Sequence, residues 1–532
     1  MQRRETKQNP AGISWLETGC IYLVQILLAG ILLYLTILSA RVTCTVYGGA
    51  EVVEYGKDRP LFHIVIFLAV IWLAGWAERK NGGRGPLPAD KRRWNRCFLT
   101  AAGAAAVWVL FLMCWPGSDS RLCMESAGRL LRGDFSPWEP VRFSYGSEAG
   151  AAGYAYTYPS QNGLIVYMAL FYAVFQSGAP YAMQLSNIGF LILGMVCLGR
   201  FMQQAVGEER AGRCVPEWRR TALLLILYLP FSFYILFAYG TMPGFGLSCL
   251  ALYETGRFVR EERWKDIWIG AAAMLASILL KSNYLIVWVA LFLYLASAGV
   301  FRRRFRLLAG AALLIMVCLA GSRGFDFCME QVTGNSVSGG IPMTAWAEMG
   351  LQEGSRGPGW YNGYNVRVFW ENGGEKEAAA EAIRKDISET LSDMKEAPGD
   401  AVRFFVKKTA SIWAEPTFQG LWIQEVGGGS WLLPEVTDSL LKKGGILNAV
   451  FLAAADWIQT MVYAGAFLGI LVNFKRMRWD ALIPGIIFIG GFLFHLVWEA
   501  KGQYTVCYFV FLIPYAWMGI RNMGCRLVRF IE

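Results

Sequence analysis

The feature that most constrains this chain is the way basic loops alternate with long apolar stretches. Thirteen stretches of the 532-residue sequence are long and apolar enough to consider as membrane spans: 21–39, 61–77, 98–115, 162–178, 181–201, 221–238, 244–258, 266–280, 284–299, 307–321, 447–472, 481–498 and 504–520. If all thirteen cross, the Arg- and Lys-rich loops after the fourth fall outside. Those loops hold Arg213, Arg219 and Arg220; Arg257, Arg260, Arg263 and Lys265; Arg302, Arg303, Arg304 and Arg306; and Lys475, Arg476 and Arg478. The cytoplasmic side should carry that excess of positive charge. Removing 162–178 restores the rule everywhere at once. That segment is about 17 residues long, short of the roughly 20 needed to cross ~30 Å of hydrocarbon, and Tyr158-Pro159-Ser160-Gln161-Asn162-Gly163 leads into it. It reads as a helix lying in or dipping into the outer interface, followed by a true span at 181–201. The expectation is an all-α polytopic membrane protein with twelve spans, both termini cytoplasmic, and two large external loops, 116–180 and 322–446.

Composition agrees. The chain is 55% hydrophobic, and its net charge of +10 is explained by cytoplasmic-loop Lys and Arg, so nucleic acid is not an expected partner. Met1 to Lys7 is polar and basic and lacks a small-residue cleavage site after the apolar run that follows, which predicts an uncleaved first span. The 12 Cys include no C-x-x-C pair, and only Cys44, Cys123 and Cys328 fall outside, so no disulfide framework is expected. The two histidines, His63 and His495, offer no zinc-ligand spacing. Four parts follow: a two-span extension at 1–97, a dense membrane core at 98–321, an external segment at 322–446, and three closing spans at 447–532. Within the external segment, Glu375 to Lys395 and Asp400 to Trp413 carry helical periodicity, with Pro398-Gly399 between them. No internal repeat of the kind seen in duplicated transporters is evident.

Chemistry concentrates in the external turns. Asp119, in Trp115-Pro116-Gly117-Ser118-Asp119-Ser120, lies just beyond the third span. A carboxylate there can deprotonate an incoming hydroxyl at headgroup level, and Asp119 or Ser118 can equally cap the helix running to Leu131. Lys281, in Leu280-Lys281-Ser282-Asn283-Tyr284, occupies a three-residue external turn. A lysine there either snorkels to headgroups or meets a lipid phosphate. The last external turn, Glu499-Ala500-Lys501-Gly502-Gln503-Tyr504, clusters opposite charges with an aromatic, an interfacial ion pair or a second anion contact. Trp346, Trp360, Tyr361, Tyr364, Trp370, Trp413, Trp422 and Trp431 are all external. They suit an interface belt or the faces of a pyranose, and the Gly-rich run Gly357 to Asn365 suits a sugar site.

These residues carry a resemblance. Asp119 with Gly128-Arg129-Leu130-Leu131-Arg132-Gly133-Asp134-Phe135, and then Tyr156-Thr157-Tyr158-Pro159-Ser160-Gln161-Asn162-Gly163, resembles the first external loop of the GT-C superfamily of polytopic glycosyltransferases. The nearest families are the family 39-like membrane glycosyltransferases of Gram-positive bacteria; the protein O-mannosyltransferases and the lipid A aminoarabinose transferase are more distant. The Leu-Lys-Ser-Asn turn, the runs Pro342 to Leu351 and Trp413 to Phe418, and Phe494 to Lys501 with Tyr504 are similar too. The resemblance covers roughly residues 98–520. It implies a donor sugar on a polyprenyl phosphate and a hydroxyl acceptor on a cell-envelope polymer, lipid or protein. It implies single inverting displacement at the outer face of a bacterial plasma membrane. Residue by residue, Asp119 becomes the base, Lys281 a donor-phosphate contact and Lys501 a weaker one. Tyr158, Gln161 and Asn162 would line the entrance, with Trp360, Tyr504 and Glu499 about the sugar or acceptor.

The sequence departs from the family at Tyr239-Gly240-Thr241-Met242-Pro243, where many relatives carry a second acid. No cofactor is therefore assigned, and the missing acid weakens the case for a divalent metal. Two other classes remain open: a lipid-sugar flippase, against which stands the placing of most charges at span ends, and a non-catalytic assembly protein of the same fold.

Overall fold

The structure, a computed structural model, describes residues 15–48, 50–80, 91–206, 229–429 and 432–531. The basic start, most of the basic loop Arg79 to Arg96, the loop with Arg213, Arg219 and Arg220, Trp431 and the first eight residues of the expected span at 221–238 lie outside the described residues.

The chain folds as an all-α polytopic membrane protein. Among the described residues, eight helical segments are long and apolar enough to cross a membrane: Trp15–Ser39, Pro60–Lys80, Pro159–Val206, Ser282–Arg302, Phe305–Thr333, Ile446–Val472, Trp479–Val497 and Gly502–Phe530. Each corresponds to an expected span. The expected spans at 244–258 and 266–280 are the helices Thr241–Glu261 and Trp264–Leu280. The first carries Glu254, Arg257 and three glycines and is mostly buried by protein, so its polar and small residues face neighbours rather than lipid. The second is only 17 residues long.

The segment at 162–178 is a separate helix, Asn162–Phe175, of 14 residues, about 21 Å long at 1.5 Å per residue. Gln176 breaks it from Ala179–Val206 with a left-handed backbone, φ 48° and ψ −123°. It packs against the helix Ser118–Leu131. In the second loop the two expected helices are Lys376–Glu396 and Pro398–Trp413, with Pro398 at the first turn of the second, where its missing N–H costs nothing.

Four helices share one polarity. Thr241–Glu261, Trp264–Leu280, Leu285–Arg302 and Trp479–Val497 each have one end at a common cavity and the other in a net of ion pairs. The net comprises Arg257–Glu254 at 2.9 Å, Arg257–Asp266 at 3.4 Å, Arg263–Asp266 at 3.0 Å and Arg302–Asp480 at 2.8 Å. The basic ends inferred from charge alternation thus lie opposite the candidate site.

The N-terminal extension is not peripheral. Its first helix packs on Ile446–Val472 and Trp479–Val497, and its second on Ile513–Ile531. There Gly75 meets Gly524 so closely that a Cβ on Gly75 would lie 2.2 Å from the Gly524 carbonyl oxygen. Between the two helices runs an antiparallel hairpin, β1 (Val42–Tyr47) and β2 (Val52–Lys57), in register from Val42↔Lys57 to Tyr47↔Val52. Both outer edges are covered, as an exposed edge would invite pairing with another chain. The Cys44 N–H donates to the Ala414 carbonyl and the Val53 N–H to the Arg356 carbonyl, both at 2.8 Å. At the hairpin's root His63 Nε2 lies 2.6 Å from Asp58 and 3.3 Å from Asp456 of the Ile446–Val472 helix.

Candidate active site

A cavity of ≈ 530 Å³ opens where the turns holding Asp119, Lys281 and Glu499 to Lys501 converge. Asp119 stands on one wall, in the first turn of Ser118–Leu131. The cap of that helix is Gly117, with no side-chain capping bond. The Asp119 carboxylate instead accepts a 2.5 Å bond from the Tyr145 hydroxyl. Ser118, just before it, has a φ of 50°, a conformation that costs a non-glycine residue on the order of 1 kcal/mol and that clusters at functional sites. It holds Asp119 at the start of the helix, where the free N–H groups favour negative charge.

Lys281 faces the same cavity and is 5% exposed. Its ammonium donates to Thr241 Oγ1 at 2.8 Å and lies 5.1 Å and 5.6 Å from the ring centres of Tyr239 and Tyr504. Among the described residues no carboxylate pairs with it. Burial lowers its pKa to about 8, and Lys501 adds repulsion, yet at neutral pH it remains mostly charged. A buried cation with only a hydroxyl and aromatic faces for company is short of an anion. Two glycines fix its turn from behind. A Cβ on Gly163 would lie 2.1 Å from the Leu279 carbonyl oxygen, and one on Gly240 would lie 1.9 Å from that of Leu280.

The third group is the turn 499–501. Lys501 is buried and its nearest carboxylate is not Glu499 but Glu51, at 3.3 Å. Burial opposes its charge, but Glu51, Glu499 and Asp119 together hold the Lys501 ammonium above its ordinary pKa. Burial pushes Glu499 up to about 7 against the pull of Lys501, and its carboxylate accepts from the Tyr504 hydroxyl at 3.2 Å. Gly359 ties this turn to the second loop by accepting from the Ala500 N–H at 2.7 Å.

Of the residues singled out in the sequence, Asp119, Lys281, Lys501, Tyr158, Gln161, Tyr504 and Glu499 all line this cavity. Asn162 and Trp360 do not. Asn162 is buried behind the wall, where its oxygen accepts from Trp138 Nε1 at 2.9 Å. Trp360 is fully buried and donates to Ser411 Oγ at 2.8 Å, so it braces the loop whose next residue, Tyr361, reaches the cavity. Of the other aromatics singled out, Trp346 and Trp422 line the cavity, and Trp413 packs on Phe488 and Phe492. Sequence reasoning missed Glu51, Arg356, Tyr145 and Tyr239. The alternating Val42 to Tyr47 followed by Gly48-Gly49 is a hairpin signal that would have exposed the first. Arg356 stands one residue before the Gly-rich run.

Among the described residues, the one grouping whose metal-ligand atoms lie within 4.8 Å of each other is Asp58, His63 and Asp456. It is outside the cavity wall: both carboxylates meet the one ring nitrogen, His63 Nε2, and His63 Nδ1 is buried without a partner.

No family model and no curated protein matches the chain. Among solved structures it is similar to the oligosaccharyltransferase AglB of Archaeoglobus fulgidus, in complex with an inhibitory peptide and a dolichol-phosphate (13% identity, TM-score 0.37, 83% of this chain and 51% of that one). It is similar also to the arabinosyltransferase EmbB of Mycobacterium smegmatis (13%, 0.35, 88% and 46%) and to ArnT of Cupriavidus metallidurans bound to undecaprenyl phosphate (16%, 0.29, 80% and 78%). All three are membrane glycosyltransferases of the GT-C superfamily. The chain spans about half the length of the first two. Likenesses of this size carry no substrate, reaction or residue role to this chain.

Proposed function

We propose that the protein is a membrane glycosyltransferase that moves a sugar from a polyprenyl-phosphate donor to a hydroxyl acceptor at the outer face of a bacterial plasma membrane. The observation that carries this reading is one cavity holding a half-buried carboxylate, Asp119, together with a buried lysine, Lys281, that no described carboxylate neutralises. In the proposed reaction the acceptor oxygen attacks the anomeric carbon, its proton passes to Asp119, and the bond from that carbon to the phosphate oxygen breaks with inversion. The phosphate leaves with the electron pair and its growing charge falls beside Lys281. Such a leaving group needs little acid help, so one base and one cation suffice, the base contributing about 10²–10⁴ in rate. Tyr145 orients the base, and Tyr158, Gln161, Glu499 and Tyr504 shape the place of sugar and acceptor. Lys501, already paired with Glu51, is the weaker phosphate contact.

The test is transfer of labelled sugar from a panel of polyprenyl-phosphate sugars to endogenous acceptors, in membranes holding wild type or Asp119→Asn. Transfer that depends on Asp119 supports the reading and names the donor. A folded wild type inactive with every donor, or an Asp119→Asn protein of full activity, would sink it.

A further inference from the structure

The carboxylate that neutralises Lys501 comes from an unexpected place. Glu51 belongs to the turn of the N-terminal hairpin, outside the part of the chain that resembles a glycosyltransferase, yet it is 4% exposed and forms part of the cavity wall. One of its oxygens accepts from Arg356 Nη1 at 2.5 Å; the other accepts from Gln419 Nε2 at 3.0 Å and faces Lys501 Nζ at 3.3 Å. Among the described residues neither Arg356 nor Lys501 pairs with any other carboxylate. Two cations and an amide converging on two oxygens make the donor set of a small oxyanion, with the guanidinium offering its planar fork.

The backbone shows that this arrangement is held against a cost. Glu51 has a φ of 54° and Gln419 one of 61°, left-handed conformations that side chains other than glycine rarely adopt. Lys501, which is buried, would be far more costly still if left bare, and Arg356 is partly buried beside it. Glu51 satisfies them, and an incoming anion would do the same. Lys281 has no such resident carboxylate, so the cavity has one anion place open and one filled from within.

We propose that Arg356, Gln419 and Lys501 form a second anion subsite in which Glu51 is a resident stand-in, displaced when a ligand brings a phosphate or another small oxyanion into the cavity. The inference rests on the reading of the cavity as a place for phosphate-bearing ligands and adds a second position to it. Lys281 keeps the departing phosphate. The hairpin subsite receives a further oxyanion, borne by the lipid carrier or by the acceptor.

The experiment titrates inorganic phosphate, and separately undecaprenyl monophosphate, into the full-length protein in nanodiscs. Wild type, Glu51→Gln and Glu51→Gln with Arg356→Gln are compared for affinity, with thermal melting as the folding control. Removal of the competing carboxylate is expected to tighten inorganic phosphate about tenfold, and the added Arg356→Gln to abolish that gain. Hydrogen exchange on wild type needs no variant to fold: phosphate should speed exchange in β2. If undecaprenyl monophosphate gains equally and competes with inorganic phosphate, the subsite takes the lipid headgroup. If only inorganic phosphate gains, the subsite takes an oxyanion of the acceptor. Equal phosphate affinity in wild type and Glu51→Gln, with unchanged exchange, would overturn the proposal and leave Glu51 as a fixed strut. None of these readouts involves turnover, so a failure of the transfer assay would count against catalysis and not against the subsite.

Discussion

Replacing Gly240 by Ala should damage the candidate site through a single contact. The backbone of Gly240 is ordinary, with φ −71°, so the substitution adds no dihedral strain and acts through space alone. A Cβ there would stand 1.9 Å from the Leu280 carbonyl oxygen, 2.7 Å from its carbon and 3.2 Å from Lys281 Cβ. The obstacle is backbone, not the free end of a side chain. To open that contact to 3.0 Å the turn must retreat by about 1.1 Å, and it takes Lys281 with it. Overpacking of this kind costs typically 1–3 kcal/mol of stability, and a displacement of about 1 Å at a reacting centre can cost about 10² in rate. Gly240→Ala should therefore remain folded, melt a few degrees lower, and transfer sugar about 10²-fold more slowly in the membrane assay. Gly189→Ala is the control: no atom lies within 4 Å of its added Cβ, so helix propensity should leave stability unchanged or raised by up to about 1 kcal/mol. Wild-type transfer by Gly240→Ala, with wild-type melting, would refute the argument that this contact seats Lys281.

Lys281→Met should separate function from stability, since it deletes a buried cation that lacks a described carboxylate and keeps most of its volume. Melting should hold or rise while transfer falls by roughly 10²–10³; a less stable but fully active variant would contradict the assigned role. Tyr145→Phe removes the hydroxyl that orients Asp119, and transfer should drop roughly tenfold with the fold intact, read as initial rates beside melting curves. Glu499 should give stability a pH dependence. Its folded pKa lies near 7, above its unfolded value, so the proton is bound more tightly in the folded state. Its contribution is full at acid pH and is lost as pH rises through about 7. Glu499→Gln should flatten that decline in a melting series between pH 5 and 8, and an unchanged slope would refute the assignment.

How far the sequence could be read depended on the range of the forces involved. Hydropathy and charge sidedness are local, and they located the eight apolar helices, the short helix before Gln176 and the break at Pro398. The turns holding Asp119, Lys281 and Glu499 to Lys501 were legible because a charge in a short external turn is conspicuous by itself. Asn162 and Trp360 were misplaced because a motif gives the position of a residue but not which way it faces; Asn162 Oδ1 and Trp360 Nε1 each found a partner behind the wall. The pairing of Glu51 with Arg356 was invisible for a different reason, although the hairpin signal from Val42 to Gly49 marks the turn that holds Glu51. Nothing near either in sequence announces the other, and the ion pair forms where the hairpin meets the loop carrying Arg356. Tyr145 lies in the same loop as Asp119, yet the turns between them gave no periodicity from which its approach could be read.

The docking of the first two helices on the last three also sets the order in which the protein can be completed. Glu51 leaves the ribosome before Arg356, Gln419 and Lys501 exist, and 450 residues separate it from the last of them. At ~5–20 residues per second that interval is roughly 20–90 s. For most of it the first helix has no Ile446–Val472 to pack on, and throughout it the Gly75 face has no Gly524 to meet. The carboxylate at the hairpin turn therefore gains its partners one by one as those segments are made, and Lys501 comes last. A chain halted before its last three helices would hold Asp119 and Lys281 but lack the wall that Lys501 provides, so unfinished molecules would be unable to assemble the site.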